Sequence, residues 1–156
     1  MVDEHGPALY RVAFRMVGDR HEAEDIVQDA FRSAWLSREQ FDPARGPRAW
    51  LVAILRRRVI DRWRKKRPKQ VLAGDEALEV GVPAQDPTAA EYSDEMQWAL
   101  SQLPEALRET LLLVAVGELT HQEVADELEV PLGTVLSRVS RARNRLRELL
   151  LAAARR

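Results

Sequence analysis

The chain has 156 residues, a length that favours one domain or two small ones, and its 31% charged and 46% hydrophobic residues are typical of a folded soluble protein. The absence of cysteine excludes disulfides, thiolate metal sites and a cysteine nucleophile. The N-terminus has no secretory signal, and the longest apolar runs have six residues where a membrane span needs about 20, so we expect a cytoplasmic protein without membrane insertion.

The formal net charge of −1 hides a strong segregation of charge along the chain. Residues 45–69 carry a net charge of +10, residues 70–97 carry −7, and residues 132–156 carry +6. Two basic blocks on either side of an acidic stretch suggest two modules that each bind a polyanion. Solvated helix faces balanced by acids elsewhere would give the same pattern, and charge alone does not separate the two interpretations.

The first half of the chain predicts two helices before the basic block. The first covers about residues 6–17. The second covers Arg20–Leu36, with Asp19 as its N-cap. Its apolar stripe, at helical spacing, consists of Ala23, Ile26, Val27, Ala30, Phe31, Ala34 and Trp35. The opposite face carries Asp25, Gln28, Asp29 and Arg32.

A third helix is predicted over Arg48–Lys66, after a loop rich in turn residues at 42–47. Its first half is apolar on one face. Its second half is basic around nearly the whole circumference, with Asp61 as the only acid, whereas a merely solvated face would mix charges for i,i+4 pairing. This favours polyanion binding. Trp63 within the basic half either packs in the core or stacks on an unpaired base.

Residues 68–94 are predicted to be a flexible linker. They include several Gly and Pro residues, show no sustained helical period and carry only negative charge. The linker divides the chain into a domain at 1–67 and a domain at 95–156. The predicted fold class is therefore all-α, with two small helical domains.

The second domain predicts a helix at about 105–116, a short helix opened by the capping box Thr120–Glu123, a tight turn ending at Pro131, and a long third helix. The far side of that last helix carries Thr134, Ser137, Arg138, Arg141 and Arg145. A short capped helix, a tight turn and a longer basic helix form a helix-turn-helix, whose second helix reads the DNA major groove. The alternative is a helical hairpin with a solvated arginine face.

These residues resemble a known family. The run from Leu9 through Gly18-Asp19 and Glu22–Phe31 resembles region two of the extracytoplasmic-function (ECF) sigma factors, the group IV sigma factors of bacterial RNA polymerase. The run Arg48-Ala49-Trp50-Leu51 with Ile54, Asp61 and Arg64 resembles the promoter-reading helix of that region. Leu103-Pro104, Leu119-Thr120 with Glu123–Ala125, and Val130–Val135 with Ser137-Arg138 and Arg141–Arg143 resemble region four.

The resemblance implies a subunit that binds core RNA polymerase, directs it to promoters and promotes DNA melting. Polymerase binding, to the β′ clamp, is implied for Asp25, Gln28 and Asp29. Contact with the melted −10 element is implied for Arg45, Arg48, Arg57, Asp61 and Arg64. Contact with the −35 duplex is implied for Thr134, Ser137, Arg138 and Arg141, in a domain that also leans on the β flap. The linker would thread through polymerase, and an anti-sigma factor is the expected regulator.

Two positions depart from the family pattern, which usually has Asn where this chain has Arg57 and Lys or Arg where it has Leu136. Both bear on promoter preference. A stand-alone helix-turn-helix regulator is the alternative function, but it leaves the first domain unexplained. An enzyme is not indicated: the three histidines lie in separate elements, and no phosphate-binding glycine loop, nucleophile motif, metal site or cofactor site is present in the sequence.

Overall fold

The computed structural model describes residues 2–66 and 94–155, and within these ranges the regular secondary structure is entirely helical. The all-α fold class is confirmed. The helices are α1 (Val2–Val17), α2 (Arg20–Leu36), α3 (Pro47–Lys66), α4 (Asp94–Ser101), α5 (Glu105–Ala115), α6 (His121–Leu128) and α7 (Leu132–Ala154). None of these seven is long and apolar enough to cross a membrane. The linker predicted at 68–94 lies outside the described residues, apart from its last residue.

The first half is a three-helix unit whose turns follow from local chemistry. Gly18 takes a φ of +75°, a conformation that glycine adopts without steric cost, and lets the chain reverse between α1 and α2. The Asp19 carboxylate accepts a hydrogen bond from the Glu22 backbone N–H at 2.9 Å and begins α2 at the predicted residue. Two short 3-10 turns then lead into α3, where the Phe41 and Trp50 rings meet with centroids 5.0 Å apart. This contact holds the loop before α3 against the helix.

The second half contains the predicted helix-turn-helix and one helix more than predicted. Helix α4 covers eight residues and was not predicted, since its first turn is acidic and continues the charge of the linker. In α6 the reciprocal capping box between Thr120 and Glu123 is present, with both bonds at 3.0 Å. The helix ends at Glu129, which takes a left-handed φ of 56°, and α7 follows directly after Pro131.

The two halves pack against each other. Helix α1 contacts α4 and α5, and one continuous apolar cluster contains Leu9 and Phe14 from the first half together with Leu100 and Leu113 from the second. The Gln97 side chain donates hydrogen bonds to the backbone carbonyls of Arg15 and Phe14, at 3.2 and 3.5 Å. Each half is close to the size at which a single core is marginal, so the shared burial stabilises both.

Candidate nucleic-acid interface

The polar face of α2 is open to solvent along most of its length. Asp25 and Gln28 are exposed, whereas Asp29 is half-buried and pairs with Arg62 of α3 at 3.5 Å and with Arg32 at 3.9 Å. The residues predicted to bind polymerase therefore lie on one side of the helix, but they are not equivalent. Asp29 also joins α2 to α3, while Asp25 and Gln28 project from the surface.

An exposed apolar pair continues this face toward the end of α2. Trp35 is 66% exposed and Leu36 is 76% exposed, and the Arg38 guanidinium lies 4.2 Å from the centre of the Trp35 ring. The prediction that Trp35 belongs to the buried stripe is wrong. Successive i,i+4 positions on a helix are offset by about 40°, so Trp35 lies farther from the centre of the stripe than Phe31 does and comes close to Gln28 on the polar face. An exposed Trp and Leu beside charged groups have the composition of a protein-binding surface.

Basic side chains from α3 and the loop before it form what we call the arginine surface, consisting of Arg45, Arg48, Arg56 and Arg57. Three of these four were predicted to contact the −10 element, and Arg56 was not. Of the other residues predicted for that element, Arg64 is exposed near the end of α3, and Asp61 pairs with Arg58 at 3.6 Å. The structure brings Arg45 and Arg57 to one carboxylate, that of Glu127, whereas Arg48 pairs with Glu118. Asp61 and Arg64 lie farther along the helix.

Three glutamates of the second half cover the arginine surface. Glu127 lies 3.3 Å from Arg45, 3.6 Å from Arg56 and 3.5 Å from Arg57. Glu118 pairs with Arg48, and Glu109 pairs with Arg56. The partners lie between 53 and 82 residues apart in sequence, so no local pattern could have revealed these pairs.

Trp63 of α3 is also in contact with the second half. The Arg108 guanidinium lies 5.0 Å from the centre of its indole ring, a distance at which a cation is attracted to the ring face. Trp63 is half-buried against the apolar cluster. The ring thus packs at the junction of the halves and presents one face to an arginine.

Glu109 is a buried carboxylate at this junction. Burial raises the pKa of the Glu109 carboxyl above its ordinary value, because removal from water disfavours the charged form. Arg56 and, after it, Arg138 oppose that rise in pKa, while Glu105 on the same helix adds to it. The net increase in pKa means that the free energy lost by removing the carboxylate from water exceeds the free energy gained from its interactions with Arg56 and Arg138.

We expect this carboxyl to make stability depend on pH. The folded chain binds a proton on Glu109 more readily than the unfolded chain, so its contribution to stability rises as pH falls through the raised pKa and is lost as pH increases. Urea unfolding of the parent and of Glu109→Gln should therefore show the parent gaining free energy of unfolding relative to the variant as the pH is lowered from above the raised pKa toward the ordinary pKa of a glutamate carboxyl. A difference that is constant, or that has the opposite sign, would contradict this assignment.

The outward face of α7 carries the residues predicted to read the −35 element. Ser137 and Arg141 are exposed, whereas Thr134 and Arg138 are half-buried and flank them. Ser140 and Asn144, which were not among the predicted residues, are exposed on the same face, and Leu136 is 50% exposed at its edge. Val135, Val139 and Ala142 are buried on the opposite side and fix the orientation of the helix.

Comparison with known proteins gives a consistent result over both halves. The family model for Sigma-70 region 2 matches residues 1–69, and that for Sigma-70, region 4 matches residues 93–146. The ECF RNA polymerase sigma factor SigW of Bacillus subtilis is 36% identical over 96% of this chain and 87% of its own length. SigE of Mycolicibacterium smegmatis is 33% identical over 96% of this chain, which spans 60% of that protein.

Solved structures agree over the same span. The sigma factor RpoE of Bartonella quintana, in complex with the anti-sigma factor NepR, matches with a TM-score of 0.74 and 29% identity over 96% of this chain and 93% of that one. CnrH in complex with the cytosolic domain of CnrY matches with the same TM-score and identity over 97% of this chain and 85% of that one. Helix order, the helix-turn-helix and both family matches lead to one conclusion: the chain belongs to the ECF sigma factors, the non-enzymatic subunits that direct bacterial RNA polymerase to promoters.

Proposed function

We propose that this sigma factor binds core polymerase, the −10 element and the −35 element through three separate surfaces. The exposed face of α2, with Asp25, Gln28 and Asp29, binds the β′ clamp of core polymerase. Exposed Trp35 and Leu36 extend this surface, because a desolvated aromatic ring inside a polar rim is the usual centre of a strong protein interface.

The −10 element is assigned to the first domain, residues 1–67, and the −35 element to the second, residues 95–156. Arg45, Arg48, Arg57 and Arg64, with Asp61, contact the strand exposed on melting, since guanidinium groups bind phosphates through paired hydrogen bonds. Ser137 and Arg141, flanked by Thr134 and Arg138, contact the upstream duplex from α7, as in a helix-turn-helix. The linker at 68–94 joins the two domains.

The observation that carries this proposal is the combination, in one chain, of an open α2 face with arginine-bearing surfaces on both halves. A stand-alone helix-turn-helix regulator needs only the second half and ordinarily binds a palindrome as a dimer. The test is to mix the purified chain with core polymerase. A one-to-one complex that initiates at specific promoters supports the proposal, whereas a dimer that binds a palindromic duplex without polymerase contradicts it.

We also expect this chain to have a regulatory partner in addition to core polymerase and promoter DNA. One similar structure is a complex with the anti-sigma factor NepR, and another is a complex with the cytosolic domain of CnrY, and we infer an anti-sigma partner for this chain. The second domain is proposed to lean on the β flap as it reaches the −35 element. Because polymerase and promoter lie in the bacterial cytoplasm, the chain acts there.

A further inference from the structure

Glu127 is held in an unusual setting for a surface helix of a small protein. Its side chain is only 4% exposed, although it lies at the end of α6, a helix of eight residues. One carboxylate oxygen accepts a hydrogen bond from Arg45 at 3.3 Å, and the other faces Arg56 and Arg57 at 3.6 and 3.5 Å. A single carboxylate thus pairs with three guanidinium groups that belong to the other half of the chain.

This arrangement is stable only while the two halves stay together. Three guanidinium groups at the same place repel one another when no anion lies between them, and a carboxylate removed from water needs paired cations. Separation of the halves would leave the arginine surface with unused donors. The other biological group that satisfies such donors equally well is a phosphate, which accepts paired hydrogen bonds from arginine as a carboxylate does.

Neighbouring contacts extend the cover beyond Glu127. Glu118 pairs with Arg48 on one side, and Glu109 pairs with Arg56 on the other. Arg108 lies over the face of Trp63, the aromatic ring in the basic half of α3. The same edge of the second half therefore occupies both the groups that would bind a DNA backbone and a ring face on which a base would stack.

We propose that Glu127, together with Glu118, is an intramolecular substitute for DNA phosphate: it closes the arginine surface in the free chain and has to leave that surface before the melted promoter strand can bind there. The inference rests on the proposed function in one respect only, the assignment of the arginine surface to single-stranded DNA. It predicts that the free chain binds single-stranded DNA weakly because of its own second half.

The first measurement reports the closed state without DNA. The chain has no cysteine, so cysteines introduced at exposed Gln40 and Glu148 give one dye site in each half for energy transfer. We expect Glu127→Gln to lower the transfer efficiency, because the three arginines lose their shared counter-charge. Glu129→Gln is the matched control: it removes the same charge two residues away, at an exposed position, and should leave the transfer unchanged.

The second measurement tests whether Glu127 competes with single-stranded DNA for the arginine surface. Binding of a short fluorescent single-stranded DNA to the full chain, followed by anisotropy at low and moderate salt, should be about tenfold tighter for Glu127→Gln than for the parent, since phosphate binding by arginine is governed by accessible charge. Glu129→Gln removes the same net charge and should bind as the parent does. This control separates release of the arginine surface from a general change in the charge of the protein.

The outcomes distinguish the inference from the proposed function. If Glu127→Gln does not lower the energy transfer, the closing role of Glu127 is wrong, and the proposed function is unaffected. If the energy transfer falls but single-stranded DNA does not bind more tightly, the arginine surface does not bind single-stranded DNA. In that case the proposed competition between Glu127 and DNA is wrong, and so is the assignment of this surface to the −10 element. Lower transfer together with tighter binding, absent in the control, supports the inference.

A charge exchange keeps the test valid if Glu127→Gln folds poorly. Arg48 and Glu118 form a pair in which the side chains are 37% and 66% exposed, so both sites accept substitution without disturbing the core. We expect Glu118→Arg alone to lower the energy transfer and the double variant Arg48→Glu with Glu118→Arg to restore it. Failure of the second change to restore the transfer would show that this pair does not hold the halves together.

Discussion

Replacing Asp25 by lysine is expected to weaken the binding of core polymerase by about 30-fold or more, because loss of one partner in a desolvated charge pair costs about 2 kcal/mol or more. The fold should be unaffected, with a free energy of unfolding within about 1 kcal/mol of the parent, since Asp25 is exposed. Lysine at this position also replaces an unfavourable i,i+4 contact with Asp29 by a favourable one. Titration of labelled chain with core polymerase measures the affinity, and thermal unfolding measures the stability.

The structure determines which acid of the α2 face gives a clean result. Reversal of Asp29 would also break its 3.5 Å pair with Arg62 and disturb the contact between α2 and α3, so a loss of polymerase binding would be ambiguous. Glu4→Lys is the control, because it makes the same charge change at an exposed position of the same domain, on α1 rather than on α2.

Trp35→Ala tests the apolar end of the same face. Truncating a tryptophan that becomes buried in an interface commonly costs about 2 kcal/mol or more, and at 66% exposure the ring contributes little to the folded core. We therefore expect weaker polymerase binding with an almost unchanged melting temperature. The docking assignment for α2 is wrong if both Asp25→Lys and Trp35→Ala form holoenzyme with the affinity of the parent.

The sequence was sufficient for those parts of the fold that depend on local chemistry. Asp19 and the apolar stripe predicted both ends of α2, and the Thr120–Glu123 capping box predicted the start of α6, because an N-cap acts within one turn of helix. Helix α4 was missed because eight residues with an acidic first turn carry little periodic signal. Trp35 was misplaced because its angular position, one turn beyond Phe31, lies at the boundary between the buried and exposed faces.

The contacts between the halves could not be predicted from the sequence. Charge segregation identified the basic block at 45–69, and the resemblance selected Arg45, Arg48 and Arg57 within it. Neither observation indicates that three glutamates of the second half pair with the arginine surface. These are Glu109 of α5, Glu118 of the turn after it and Glu127 of α6. Such pairing depends on the packing of α1 against α4 and α5, a property of the folded chain as a whole.

Removing one arginine from the outward face of α7 and removing one from α3 should impair different steps of transcription initiation. Arg141→Ala removes an exposed cation from the outward face of α7 and should weaken engagement of upstream duplex. A lost base contact would cost about 1–3 kcal/mol, and a lost phosphate contact would reduce the salt dependence by about one ion. Arg64→Ala removes an exposed cation near the end of α3 and should weaken the hold on the strand exposed by melting.

Transcription by holoenzyme from matched duplex and pre-melted templates separates these effects. A template already open over the −10 region bypasses the melting step, so it should rescue a defect in opening, but it supplies no substitute for a lost contact to the open strand. Arg64→Ala should therefore remain defective on that template, while Arg141→Ala should be defective wherever the upstream duplex is needed. Arg155→Ala at the far end of α7 and Arg11→Ala on α1 remove the same charge at exposed positions and should behave as the parent does. If Arg141→Ala impairs only binding to the open template and Arg64→Ala only binding to upstream duplex, the two surfaces have been assigned the wrong way round.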